Sequence, residues 1–257
     1  MVISRDDRLA HDLAAEAGRR LITLRAVGGD QEGLRRDGDR LSHEFLCAEL
    51  ATLRPADAVL SEEGRDDPAR LSASRVWIVD PLDGTREFGE TGRTDWAVHV
   101  ALWERGDLSA GAVALPAQGR ILSTANIPAT PHGAAATAAG PGQLRIVVSR
   151  TRPPEYIQRL ADRAGAGLLP LGSAGAKAAA VLCGDADAYV HSGRLYEWDS
   201  AAPVAVARAA GLHASRIDGA KLSYNQAYPS MPDILICRAA LASMLLDAIS
   251  SVRLRQE

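Results

Sequence analysis

Cysteine is too sparse in this chain to hold it together. Only Cys47, Cys183 and Cys237 occur, far apart and with no Cys-x-x-Cys pair, so neither a disulfide framework nor a cysteine zinc site is on offer. Three reduced thiols in a cytoplasmic protein are the expectation. Basic charge is not in excess either: 29 Lys+Arg stand against 32 Asp+Glu, a net charge of −3, and no basic stripe appears. That balance argues against gripping a nucleic-acid polymer by its phosphates. No apolar run approaches the roughly 18 residues of a membrane span. The opening stretch MVISRDDRLAHDLAAEAGRRL is charged from its fifth residue and lacks the apolar segment of an export signal. Internal repeats are absent too. What remains is ordinary globular composition, 47% apolar and 24% charged, in 257 residues that can bury one large core or two modest ones.

Leu9, Leu13, Ala17, Leu21 and Leu24 recur at helical spacing and predict a first helix over 6–25. The glycine-rich, charged stretch GGDQEGLRRDGDR breaks that pattern, and a second helix is expected from Leu41 to Leu53, stopped by Pro55. Short strands follow at Ala58–Leu60 and in RVWIVD. WAVHVALWE, LSAGAVALP and GRILSTA, separated by short turns, read as an antiparallel meander whose edge could pair with a second copy as a homodimer. Residues 126–143, rich in Ala, Gly and Pro, are expected to connect two halves. The first, 1–140, carries helices and the meander. In the second, 141–257, strands and helices alternate: LRIVVS, PPEYIQRLADRAG, GLLPLG, AGAKAAAVLCG, DAYVH, a helix from WDSAAP onward, LHAS, DILIC and a terminal helix. That alternation predicts an α/β fold with sheets covered by helices.

Three separate places put carboxylates at strand exits or helix starts: Glu62-Glu63 in SEEG, Asp80 and Asp83 in WIVDPLDGTREF, and Asp199 in EWDSAAP. If they converge, their repulsion is relieved most simply by divalent cations. Oxygen ligands without a His-Cys set point to Mg²⁺, with Mn²⁺ possible, and a shared carboxylate between two ions ~3.5–4 Å apart would form a phosphoryl-transfer clamp. Water would be the nucleophile, because no Ser or Cys stands beside a candidate histidine base. The plainer alternative is three unrelated polar loop ends. The Asp-x-Asp-Gly-Thr motif of phosphatases with an aspartyl nucleophile is a false likeness: here the two aspartates are three apart and Pro81 changes the turn.

Together, SEEG, WIVDPLDGTREF and EWDSAAPVAVARAAG, in that order, resemble the signature of the inositol monophosphatase superfamily, metal-dependent and lithium-sensitive phosphatases. The resemblance covers nearly the whole chain. It implies a layered α-β-α-β-α sandwich. By this similarity Glu62, Asp80 and the Leu82 carbonyl would hold a first metal, and Asp80, Asp83 and Asp199 a second, in a two- or three-metal site. Glu63 would stand aside as a supporting or surface charge. Thr85, with an acidic partner, would position and deprotonate the attacking water. Asp39 is the matching partner, although Asp37 competes and a helix cap is the plainer role for Asp39. The amides of Asp83, Gly84 and Thr85 would face the phosphate, with Glu62 and Asp199 beside them.

Three features resemble the CysQ-type branch, the 3'-phosphoadenosine 5'-phosphate phosphatases: EWD, GSAGAK before a helix, and KLSYN near the C-terminus. The branch implies hydrolysis of adenosine 3',5'-bisphosphate to AMP, with sulfate assimilation as the natural setting. The same chemistry on inositol 1-phosphate or fructose 1,6-bisphosphate stays open, as does a non-catalytic relative that binds phosphates or a protein. Ser173 and Lys177 would hold the second phosphate, the plainer reading being a helix start with a solvated lysine. Ser173 stands one position farther from the lysine than in the branch pattern. His191, where relatives place arginine, or Arg194 would add to that site. His99, His132 and His213 read as structural, and Trp198 as packing.

Overall fold

The charged N-terminal segment winds into α1 (Arg5–Val27), because its apolar positions fall on one face and Ser4 caps it. The Ser4 hydroxyl accepts the Asp7 N–H at 3.0 Å and Asp7 answers the Ser4 N–H at 2.8 Å, a reciprocal cap. The computed structural model describes residues 4–127 and 143–253. Most of the expected 126–143 connection, His132 and the 140/141 division lie outside them.

Helix α2 spans Gln31–Leu53, so it starts at Gln31 and not at Leu41 as the glycines suggested. Asp30 caps it by accepting the Gly33 N–H at 2.8 Å. The helix tolerates Gly38 because it packs there without room for a side chain: a Cβ would stand 2.8 Å from the Phe88 ring and 2.9 Å from Leu82. Tertiary packing overrides the local penalty, and it lays α2 across the DPLDGT segment.

The first sheet runs in the order β1 (Ala58–Ser61), β2 (Arg75–Asp83), β3 (Ala97–Glu104), β4 (Asp107–Leu115) and β5 (Arg120–Ser123). Its first pair is parallel and the rest form the expected antiparallel meander. Helix α3 (Thr85–Gly89) follows β2 immediately. The second sheet has the order β7-β6-β8-β10-β9, formed by β6 (Leu144–Ser149), β7 (Ala166–Leu171), β8 (Ala188–Tyr196), β9 (His213–Ser215) and β10 (Ser230–Cys237). Strand β8 continues well past His191, which pairs with Ile234 inside the sheet and is not at a strand end. The helices of this half are α4 (Ile157–Ala164), α5 (Ala174–Leu182), α6 (Glu197–Ala209) and α7 (Ala242–Arg253).

Period-two alternation in β2 explains the layering. Trp77 and Val79 pack outward with Leu13, Leu21, Leu46 and Leu50 of α1 and α2. Val76 and Ile78 point the other way, onto Val181, Ala201 and Val204 of α5 and α6. Those two helices also touch Val147, Tyr189 and Ile236 of the second sheet, whose far face meets Leu160 of α4 and Ile249 of α7. The layers are therefore α-β-α-β-α, as expected. Sheets covered on both faces need continuous apolar strands, which is why VWIV and DILIC do not alternate with polar residues. Among the described residues no helix is long and apolar enough to cross a membrane.

Leu46 is fully buried between α2 and the first sheet. Leu46→Ala should cost about 2–5 kcal/mol of stability by leaving a cavity, read as a lower urea midpoint. An unchanged midpoint would contradict this packing of α2 on the sheet.

Candidate active site

Strand β2 ends in the turn that builds the site. Asp80 is buried, with Oδ1 accepting the Leu82 N–H at 3.0 Å and Oδ2 left without a partner among the described residues. Gly84 takes φ +85°, a left-handed conformation that most side chains resist, and so turns the chain into α3. Asp83, also buried, faces the N-terminus of α5: its Oδ2 accepts the Gly175 N–H at 2.7 Å and lies 3.2 Å from His99 Nε2. Asp199, in the first turn of α6, accepts the Tyr196 N–H at 2.6 Å. One oxygen from each of Asp80, Asp83 and Asp199 lies within 4.8 Å of the other two. Two of the three unconnected motifs thus converge in one acidic group, and Glu62 of the third lines the same cleft.

Glu62 leaves β1 at the rim. The residue as a whole is exposed, but its carboxyl turns inward to Asp80 and Asp199. Burial, then the charge of Asp199, push it up to about 7. Burial, then Glu62 and Asp83, raise Asp80 well above the usual carboxylate range. Asp199 is pushed up to about 6 by burial and by Asp83. Asp83 goes the other way: burial opposes its charge, but His99, Lys177 and the Gly175 amide together hold it below the ordinary value. Four carboxyls that repel each other, one with a bare buried oxygen, make a donor set suited to a hard divalent cation. Among the described residues, no histidine or cysteine belongs to the acidic group.

The Thr85 hydroxyl stands 3.1 Å from Asp39 Oδ1 and 3.0 Å from the Leu82 carbonyl oxygen. Asp39 lies within α2 and caps nothing, since Asp30 is the cap. Burial, followed by the charge of Glu63, pushes Asp39 up to about 7. Asp37 faces elsewhere, half exposed and 3.6 Å from Arg40. The structure thus brings Asp39, and not Asp37, to Thr85.

A cleft of 220 Å³ opens over these groups, lined by Glu62, Asp80, Asp83, Thr85, Arg152 and Ser173 among others. Ser173 both lines it and caps α5, accepting the Ala176 N–H at 2.8 Å. Lys177 does not line it. Its ammonium is buried and turned onto the Gly172 carbonyl, which corrects the expectation of a lysine offered to a second phosphate. Burial brings Lys177 down to about 8 against the pull of Asp83 and Asp199, so its charge acts through the wall. A neighbouring pocket of 290 Å³ shares Arg152 and adds His191, Ser192 and Arg194. Burial, then Lys177, lower His191 to about 4, so it is neutral there.

Reading the sequence missed Ser149, Thr151 and Arg152, which line the cleft from the exit of β6. The signal was present: SRTR follows the apolar run LRIVV, a polar and basic strand exit like the acidic ones. It also missed Asp95, which holds the start of α5 by accepting the Gly172 N–H at 2.7 Å. His99, expected to be structural, touches Asp83. Trp198 is half-buried and stacked on Tyr196 at 4.8 Å between ring centroids. His213 lies in β9 beside Ser215.

The 3'-phosphoadenosine 5'-phosphate phosphatase of Mycobacterium leprae is 50% identical over 96% of this chain and 94% of its own. Its namesake from Mycobacterium tuberculosis is 52% identical over 91% of this chain and 90% of its own. In three dimensions, inositol monophosphatase II from Staphylococcus aureus superposes with a TM-score of 0.77 at 23% identity, covering 93% of this chain and 92% of that one, and shares the fold. Residues 8–252 match the inositol monophosphatase family profile, and the chain belongs to that family.

Proposed function

We propose that this protein is a Mg²⁺-dependent phosphomonoester hydrolase that converts adenosine 3',5'-bisphosphate to AMP and phosphate. The observation that carries the substrate is the identity of 50% and 52%, across almost the whole chain, with 3'-phosphoadenosine 5'-phosphate phosphatases. Glu62, Asp80, Asp83, Asp199 and the Leu82 carbonyl would hold two or three Mg²⁺, with Mn²⁺ able to serve. When bound, such ions neutralise the transferring phosphoryl group and lower the pKa of a coordinated water. The bare Asp80 Oδ2 and the raised Glu62 and Asp199 support that assignment.

The chain's own residues then divide the work. Thr85 receives a proton from the attacking water and passes its own to Asp39, 3.1 Å away. An acceptor whose affinity for a proton is tuned near neutrality suits that relay. The amides of Gly84 and Thr85 face the phosphate, and the departing 3'-oxygen takes its proton from solvent. Arg152, shared by the two pockets, with Arg194 and Ser192, would receive the 5'-phosphate, while neutral His191 would contribute hydrogen bonding and no charge. The three free cysteines suit a cytoplasmic enzyme.

Phosphate release from adenosine 3',5'-bisphosphate, inositol 1-phosphate and fructose 1,6-bisphosphate, compared with Mg²⁺ present, tests the substrate. A kcat/KM about tenfold or more in favour of the nucleotide, or ~1.4 kcal/mol of discrimination, is expected; a flat or reversed ranking would reject it. Asp80→Asn should lower turnover by at least ~100-fold, beyond the usual cost of losing a mere supporting partner of a metal ligand. Near-normal activity would reject the metal assignment. Arg152→Ala should raise KM for the bisphosphate far more than for inositol 1-phosphate, and equal changes would remove it from the second phosphate.

The raised carboxyls also predict a pH dependence. Glu62 and Asp39, at about 7 in the fold, stabilise the cation-free protein below their ordinary values, and that contribution is lost as pH rises through about 7. Cations bind the deprotonated groups, so the rise in Tm on adding Mg²⁺ should grow from about pH 5.5 to about pH 8. A Tm gain that stays constant or shrinks over that interval would contradict the assigned shifts.

A further inference from the structure

His99 lies on β3 with no solvent exposure, in a stretch of Ala, Val and Leu where packing gives no reason for a histidine. Its ring reaches two ways. Nδ1 is 3.1 Å from the Trp198 carbonyl oxygen, which can only accept, so this nitrogen carries a proton. Nε2 is 3.2 Å from Asp83 Oδ2, a polar contact without hydrogen-bond geometry. Asp83 closes β2 in the first half of the chain, and Trp198 immediately precedes Asp199 in the second. One imidazole therefore spans the two segments that bring carboxylates to the cluster.

Gly175 shows independently that this corner is built around the ring. Its N–H donates to the same Asp83 oxygen at 2.7 Å. A Cβ on Gly175 would fall on His99 Nε2 and 2.8 Å from the Ala97 side chain. Only a bare backbone lets α5 back onto the histidine while its amide holds Asp83 and the ring touches the same oxygen. With Oδ2 bonded to the Gly175 N–H and in polar contact with the ring, Oδ1 is the Asp83 oxygen that receives no hydrogen bond from the described residues.

We propose that His99 is a positioning residue of the acidic cluster: by bridging Asp83 to the Trp198 backbone it sets Asp83 against Asp199 and holds Asp83 in one orientation toward a divalent cation. The proposal rests on the metal-dependent reading above. Groups that orient metal-ligating carboxylates typically matter about 10–100-fold in metal affinity.

The two arms can be separated. In His99→Asn the amide nitrogen can replace Nδ1 and keep the Trp198 contact. In His99→Gln it can replace Nε2 and keep the Asp83 contact. His99→Leu retains bulk and loses both. Mn²⁺ binding by calorimetry, without substrate, should weaken by about 10–100-fold in the Leu variant and less in the other two. Gly175→Ala, which displaces the ring while leaving the histidine, should weaken it as well. KM for the substrate at saturating Mg²⁺ should stay near its original value in Asn and Gln, because His99 lines neither pocket. Mn²⁺ affinity equal to or tighter than that of the unchanged protein in the Leu variant overturns the proposal. If that variant does not fold, unchanged affinity in both Asn and Gln overturns it. Failure of the unchanged protein to bind Mn²⁺ would overturn the metal-dependent reading along with it.

Discussion

Mutual repulsion among Glu62, Asp80, Asp83 and Asp199 is the constraint around which the rest of the site is arranged. Carboxylates brought this close in a water-poor cleft raise one another's proton affinity, and burial adds to it. Among the described residues no arginine forms an ion pair with them, although Arg86 and Arg152 line the same cleft. The fold supplies partial compensation from behind, through the α5 amides, the buried ammonium of Lys177 and the imidazole of His99, all acting chiefly on Asp83. Asp80 receives little of this and keeps an oxygen with no partner among the described residues. The residual negative charge is what suits the cleft to a divalent cation.

Holding such a cluster together requires stiff surroundings, and the sandwich provides them. Asp80 and Asp83 sit at the end of a strand paired on both sides, with α2 packed against the turn through Gly38. Asp199 starts a helix clamped between two sheets. Glu197, just before it, accepts the backbone N–H groups of Asn225 and Gln226 at 2.7 and 2.8 Å, and Asn225 in turn receives Arg70. The end of the KLSYN segment thus anchors the start of α6. Asp80, Asp83 and Asp199 each accept a backbone N–H, so that part of the cluster stays assembled despite its repulsion.

The two sides of the cleft differ in kind. The acidic side comes from strand exits and helix starts and is largely buried. The basic side, Arg152 and Arg194, is carried on exposed segments around the neighbouring pocket. Chemistry at the phosphorus needs groups held in one geometry, whereas a second anionic group of a substrate needs only charge and reach. The acidic end is thus held by backbone hydrogen bonds, while the basic end stands on exposed residues.

How much of this was legible beforehand depends on the range of the interaction. DPLDGT, SEEG and EWDSAAP announced themselves because each motif is local: the turn at Gly84 and the strand exits follow from a few adjacent residues. The layered architecture followed from the alternation of apolar runs, a property of short windows. The start of α2 was not legible, because Gly38 is accommodated through close packing on Phe88 and Leu82, far along the chain. Nor was the choice of Asp39 over Asp37, decided by which face of α2 meets Thr85. Lys177 looked like a phosphate ligand until α5 was seen to turn its ammonium into the wall, and His99 looked like filler until β3 carried it between Asp83 and Trp198. The sequence by itself determined which residue types the chemistry uses and the elements that carry them. Tertiary structure decided which of them meet, because burial and charge act between groups brought together only by folding.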